Sequence, residues 1–431
     1  MTQFDTARNV LLVSSLALLG ACSSGSDAAS GPADPVTGGP GTGGATLSTE
    51  TLDALFLDAD GIVDLDATVD PAFTDVFARY TAVERAGLAG RIHVLAQSSV
   101  SDAALVRART VLEHTLTDVP GTPEGADKSD VFAAMVAEGA VLAVFADDAS
   151  ADRALPAVDA VVSGLAHRIE LLTADRIVRE GTPEYMAALP ALDRSFGAAA
   201  ALVLRTGIET ARPTLAAELA DLAADDVAAG RFVAPAGTRD SEIPGLYLAL
   251  AADVHAGVFG HDPDGDGVAR AGGAELVGID RDDLSAGSPG LWSWLDEFLA
   301  EGHAFAVTLP ADFTGNFDCL RRSWNPYSAR SQHLREIHLS GSGTAEIFGA
   351  PFDVVLVGND GNNNLKGRRG FDRIVGGLGF DTAVFSGPQA DYDVRFEDGH
   401  WVVEDVFGGH EQTDVLDGIE RVQFTDGGWN L

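Results

Sequence analysis

The chain has 431 residues, 46% of them hydrophobic, enough to bury at least one sizeable core and to build two or three domains. Its 28 basic against 65 acidic residues give a net charge of −37, which argues against nucleic acid as a partner and suits metal cations, basic partners or a salty exterior. Two cysteines, Cys22 and Cys319, leave no disulfide framework and no cysteine-based zinc site. From Gly358 onward there are fourteen acidic and six basic residues, so most of the negative charge lies elsewhere and reads as a well-solvated exterior.

Arg8 is followed by the apolar run "NVLLVSSLALLGAC", too short to span a bilayer as a stable helix, and residues 1–21 read as an export signal. Its end, Leu19-Gly20-Ala21-Cys22, resembles a bacterial lipobox. That resemblance implies cleavage before Cys22 and lipidation of Cys22, hence a cell-envelope lipoprotein held to a membrane by its N-terminal anchor. An ordinary cleaved signal with an extracellular product is the alternative. Residues 22–47 are rich in Gly, Ser, Pro and Ala with almost nothing to bury, the composition of a flexible tether.

Residues 48–335 predict an α+β body, helix-rich with a few strands. "RIHVLAQ" (91–97) and "AVLAVFA" (140–146) are short apolar runs rich in β-branched residues and read as strands. "SDAALVRARTVLEHTL" starts with a Ser101 or Asp102 cap, "PTLAAELADLAADDVAAG" opens with Pro213 and stops at Gly230, and "SPGLWSWLDEFLAEG" opens with Ser288 and Pro289; all three read as helices. "LDRSFGAAAALVLRTG" (192–207) is apolar round most of its circumference and predicts a buried helix. From 336 to 431 helical periodicity fades. "YDVRF", "HWVVEDVF" and "IERVQFTDG" read as short strands joined by Asp-Gly and Gly-Gly turns, an all-β C-terminal domain.

Within that domain three units repeat at nine residues: "GNDGNNNLK" (358–366), "GRRGFDRIV" (367–375) and "GGLGFDTAV" (376–384). They resemble the RTX, or haemolysin-type, calcium-binding nonapeptide, and the segment "DVLDGIERVQFTDG" (414–427) is similar to the β-rich close of such tails; the resemblance covers roughly 340 to 431, about a fifth of the chain. Glycines permit positive-φ turns that aim carbonyls at an ion, aspartates supply hard anionic oxygens, and calcium takes six to eight oxygens. The resemblance implies a short parallel β-roll with Leu365, Ile374 and Ala383 inside, and calcium between same-side loops, with Gly358, Asp360 and Asn363 facing Gly376, Gly377, Gly379 and Asp381. The third unit fits best, and Asn363 replaces an aspartate with a neutral oxygen. Asp372 belongs to the second unit, where Arg368 and Arg369 are hostile to a dication and the preceding unit offers Val354 in place of an acid. One calcium is the expectation there.

"HDPDGDG" (261–267) sets Asp262, Asp264 and Asp266 at alternate positions and resembles the first half of an EF-hand loop, without a glutamate at the twelfth position; an exposed acidic turn is the other reading. "DADGIVDLD" (58–66) is a weaker candidate of the same kind. No H-E-x-x-H, G-x-S-x-G or Walker loop is present, and His333 and His338 lack i, i+4 spacing. Residues from about 75 to 340, including "IHVLAQ", "RARTVLEHTLTDVPG", "GADKSDV", "EGTPEYM" and "HDPDGDG", resemble the body of secreted RTX-tailed bacterial proteins of unassigned function. Relatives carrying acids and histidines on the helix at 192–207 suggest a metalloprotease-like ancestor, but Phe196 to Leu204 holds neither here. Two readings follow: a calcium-binding, lipid-anchored envelope protein of structural or adhesive role, and a secreted hydrolase, or an inactive relative of a metalloprotease-like enzyme, whose tail serves folding and export.

Overall fold

The computed structural model describes residues 49–57, 61–154, 168–187, 193–259, 265–300, 302, 305–320 and 330–431. The expected signal, Cys22 and the tether lie outside the described residues, as do Asp262 and Asp264. Among the described residues no helix is long and apolar enough to cross a membrane.

The body is built on a five-stranded sheet in sequential order: β1 (Val63–Asp64), β2 (Arg79–Val83), β3 (Ile92–Ala96), β4 (Val141–Phe145) and β5 (Ile169–Thr173). The first pairs are antiparallel; β3, β4 and β5 run parallel, as crossovers through helices require. β3 and β4 are buried at every residue, which is why each reads as an unbroken apolar run. Between them lie α1 (Asp102–Leu116), with the Ser101 hydroxyl capping the Ala104 N–H, and α2 (Ser129–Glu138), ended by Gly139 in the left-handed conformation.

The helix expected at 192–207 forms as α3 (Ser195–Val203), continued by a π turn at Leu204–Ile208, and is buried along its length. α4 (Pro213–Ala228), α5 (Ile243–His255) and α6 (Pro289–Phe298) complete the helical layer, with Pro at the first turn of each. A three-stranded sheet of β6 (Phe232–Val233), β7 (Val268–Ala271) and β8 (Ala274–Val277) packs beside them.

Two further sheets make the C-terminal region. One carries β9 (Ala306–Thr308), β11 (Glu336–His338), β13 (Val355–Val357), β15 (Arg373–Val375) and β19 (Thr413–Asp417), all parallel. The other carries β10 (Gly315–Asp318), β12 (Ala345–Phe348), β14 (Asn364–Lys366), β16 (Thr382–Val384) and β20 (Arg421–Phe424), also parallel. The stacks thus begin before residue 336. Between Ala345 and Val384 the chain crosses to the opposite sheet at each turn, and Leu356 pairs with Ile374 as Leu365 pairs with Ala383. Most of these strands have three residues, so alternation leaves one inward side chain each; Ile337, Leu356, Leu365, Ile374 and Ala383 are fully buried. An antiparallel hairpin, β17 (Tyr392–Glu397) and β18 (His400–Asp405), joins one edge, and β21 (Gly427–Asn430) closes the other.

α3 and α5 touch at Gly197. Its N–H donates to Asp253 Oδ1 at 2.7 Å, while Asp253 Oδ2 pairs with Arg194 Nη1 at 2.7 Å. A Cβ at 197 would lie 2.6 Å from the Ala249 carbonyl oxygen and 2.7 Å from Asp253 Oδ2, so the helices can approach only over glycine. Gly197→Ala is expected to lower body stability by about 2 kcal/mol, measured as a shifted urea midpoint equal in calcium and in chelator.

Candidate metal centre

Same-edge turns of the two stacks lie directly above one another because the strands on either side are parallel and in register. One edge carries turns 340–344, 358–363, 376–381 and 418–420; the other carries 349–354, 367–372 and 408–414. At the sixth position of each repeat the side chain folds back over its own first glycine. A Cβ on Gly358 would lie 2.6 Å from Asn363 Oδ1, and one on Gly376 would lie 2.6 Å from Asp381 Oδ2. Glycine at the start of each turn is therefore a packing requirement as well as a conformational one.

The sixth position also links neighbouring turns. Asn363 N–H donates to Asp381 Oδ1 at 2.7 Å, Val354 N–H to Asp372 Oδ1 at 2.9 Å, and Asp372 N–H to Asp414 Oδ1 at 3.1 Å. The expected pair Asn363 and Asp381 is brought together. Each aspartate spends one oxygen this way. The second oxygens, Asp372 Oδ2, Asp381 Oδ2 and Asp414 Oδ2, are buried and accept no hydrogen bond.

A buried carboxylate with an unmatched oxygen resists ionisation. Burial pushes the Asp372 carboxyl up to about 8 and that of Asp381 up to about 6. Asp414 is pushed well above the usual carboxylate range, by burial first and by the facing Asp372 second. Glu411, itself buried, adds negative charge near Asp372 and Asp414 while accepting from Ser386 N–H at 2.9 Å and from the Tyr392 hydroxyl. A hard cation would reverse all three preferences, and the donor chemistry of carboxylate and carbonyl oxygens fits calcium.

The remaining sequence candidates divide. Gly377 and Gly379 have φ of 101° and 111°, and a Cβ on Gly379 would lie 2.6 Å from the Gly361 carbonyl oxygen, so both hold turn 376–381 against turn 358–363. Asp360 is exposed and reaches the neighbouring turn through its N–H to Gly341 O at 3.2 Å. Asp266 lies in the body, before β7, and its carboxylate pairs with Arg270 at 2.6 Å, as an exposed acidic turn would. In the 58–66 segment Asp66 accepts from the Thr68 N–H at 2.8 Å, a local turn.

Among the described residues no three His, Cys, Asp or Glu side chains converge as a metal-binding group. Calcium in these turns would draw most of its oxygens from backbone carbonyls, with one or two carboxylates each. Asp414 was not among the sequence candidates. Its signal is "DVLD", the same Asp-x-aliphatic-x as "DRIV" at 372–375, but the inserted hairpin sets Asp414 42 positions after Asp372 and breaks the nine-residue period.

A second feature lies between the body helices and the approach to β11: a cavity of about 60 Å³ whose walls include His114, Glu180, Tyr185, Asp193, His255 and His333. That volume admits a few waters or a small ligand. Its acids are committed. Arg107, beneath the Phe305 ring at 4.3 Å, pairs with Glu180 at 3.0 Å and Asp193 at 3.1 Å, and Asp193 Oδ1 takes the Ser195 N–H at 2.9 Å. His333, which has no i, i+4 histidine partner in the sequence, reaches this wall only through the tertiary structure.

The orphaned oxygens make a signed prediction. Asp372→Asn and Asp414→Asn are expected to leave the tail as stable or more stable in chelator at pH 8, by up to about 1 kcal/mol, because each removes a buried carboxyl that must either carry an unmatched charge or take up a proton on folding. Both are expected to lose stability relative to wild type once calcium is present; thermal unfolding in both conditions reads the change of sign. Comparison with protein-family models and with curated proteins returns no match for this chain.

Proposed function

We propose that this is a calcium-binding, exported envelope protein, held to a membrane by a lipid on Cys22, whose C-terminal strands form a parallel β-roll ordered by calcium and whose role is structural or adhesive. The observation that carries the reading is the set of three buried aspartate oxygens without donors at Asp372, Asp381 and Asp414. When bound, calcium supplies a hard dication that gathers carboxylate and carbonyl oxygens. Asp381 with the turn carbonyls at 358–363 would hold it on one edge, and Asp372 with Asp414 on the other. Gly358, Gly376, Gly377 and Gly379 keep those turns close enough to share an ion. The export and anchor reading rests on the residue pattern ending at Cys22, and a calcium-rich exterior is where such a tail would be ordered.

The cavity supports a second reading, a hydrolase body acting on a small molecule with the tail serving folding and export. It ranks second because Arg107 holds both Glu180 and Asp193, which leaves neither carboxylate as an uncommitted base.

Millimolar calcium is expected to raise the melting temperature of the tail by several degrees over chelator, through binding to the folded state alone. Asp381→Ala is expected to remove most of that shift. A thermal-unfolding curve identical in calcium and chelator would sink the proposal. Reproducible calcium-dependent turnover of a peptide, ester or glycan, abolished by one substitution at the cavity, would reverse the order of the two readings.

A further inference from the structure

The second position of each repeat differs: Asn359, Arg368 and Gly377. The first two side chains reach back to the preceding same-edge turn. Asn359 Nδ2 donates to Ser340 O at 3.0 Å and to Gly343 O at 3.1 Å, and Asn363 Nδ2 lies 3.4 Å from Gly343 O. Arg368 Nη1 donates to Gly349 O at 2.6 Å and pairs with Asp318 Oδ1 at 2.8 Å, both side chains being nearly enclosed. Arg368 does this from a φ of 80°, a conformation that costs a non-glycine residue about 1 kcal/mol or more. Its guanidinium must return more than that, as a charge-assisted bond to a buried carbonyl together with an ion pair can. Gly377 has no side chain to send back, and a Cβ there would run into the Asn359 carbonyl oxygen.

The gaps between turns therefore fall into two sets. Those nearer the body, 340–343 against 358–363 and 349–354 against 367–372, are closed by amide and guanidinium donors of the chain itself. Those farther along, 358–363 against 376–381 and 367–372 against 408–414, carry the donorless oxygens of Asp381 and Asp414; Asp372, whose Oδ1 takes the Val354 N–H and whose Oδ2 lies over its own Gly367, borders both gaps on its edge.

We propose that Asn359 and Arg368 act as resident substitutes for metal, so that the body-proximal half of the tail is folded without calcium and calcium orders only the distal half. The first clause stands on the observed donors; the second rests on the calcium reading above. The tail is then a permanently ordered platform with a calcium-dependent tip, and calcium depletion loosens residues from about 370 onward without releasing the strands packed on the body.

Hydrogen exchange of the full chain, in millimolar calcium and in chelator, tests both clauses. Turns 340–344 and 349–354 and strands β12–β14 are expected to exchange alike in the two conditions, while turns 376–381 and 408–420 gain protection with calcium. Arg368→Gly restores the residue best suited to the backbone but removes the donor; it is expected to speed exchange in turns 349–354 and 367–372 at least roughly tenfold, in calcium and chelator alike. Arg368→Lys, which keeps the charge, is expected to recover part of the protection. Unchanged or slower exchange in Arg368→Gly would overturn the substitute role, and calcium protection spread equally over both halves would overturn the division. If wild type shows no calcium effect anywhere, the calcium reading fails, while the Arg368→Gly result still decides whether the guanidinium holds its turns together.

Discussion

Parallel stacking at an eighteen-residue register is the constraint from which most of the tail's chemistry follows. Strands one layer apart on the same sheet sit about 4.8 Å apart, so each turn lies over the next with little room for water. Carbonyl oxygens and sixth-position side chains of successive turns are pressed into the same narrow gap. Negative and dipolar groups facing one another at that spacing need a donor or a cation between them. The chain meets the need in two ways, with an amide at Asn359 and Asn363 and a guanidinium at Arg368, and leaves it unmet at the buried carboxylates of Asp372, Asp381 and Asp414.

The same constraint explains the glycines. A turn that folds its sixth side chain back over its first residue has no space there for a Cβ, as at Gly358 and Gly376. At the second position, where Gly377 has a φ of 101°, Arg368 is the informative exception, because it adopts a left-handed backbone and still carries a side chain. It can do so only where the neighbouring turn leaves a carbonyl and an acid, Gly349 O and Asp318, for the guanidinium to fill.

Body and tail are joined by packing as well as by sequence. Val178 and Tyr185, from the segment after β5, belong to the hydrophobic core that runs through the tail strands, and the Tyr185 hydroxyl is 2.9 Å from Ser331 Oγ. The buried Arg107 cluster lies at the same junction, with its charges balanced by Glu180 and Asp193 and its guanidinium packed against both the Phe196 and Phe305 rings. Such an arrangement stiffens the junction and anchors the first tail strands to the body.

Much of this was legible in the residues. Uninterrupted apolar runs announced β3 and β4, proline and serine caps announced the helices, and the all-round apolar pattern announced the buried α3, because those signals are local and physical. The nine-residue glycine period determined the stacked turns and placed Asn363 beside Asp381, since a fixed period in a parallel stack leaves no freedom of register. Only the tertiary structure paired Asp372 with Asp414 across an inserted hairpin, recruited Asp318 to Arg368, and brought His333 to the cavity wall. Those contacts join residues between 42 and more than 200 positions apart, and no local pattern encodes a partner that the fold alone brings near.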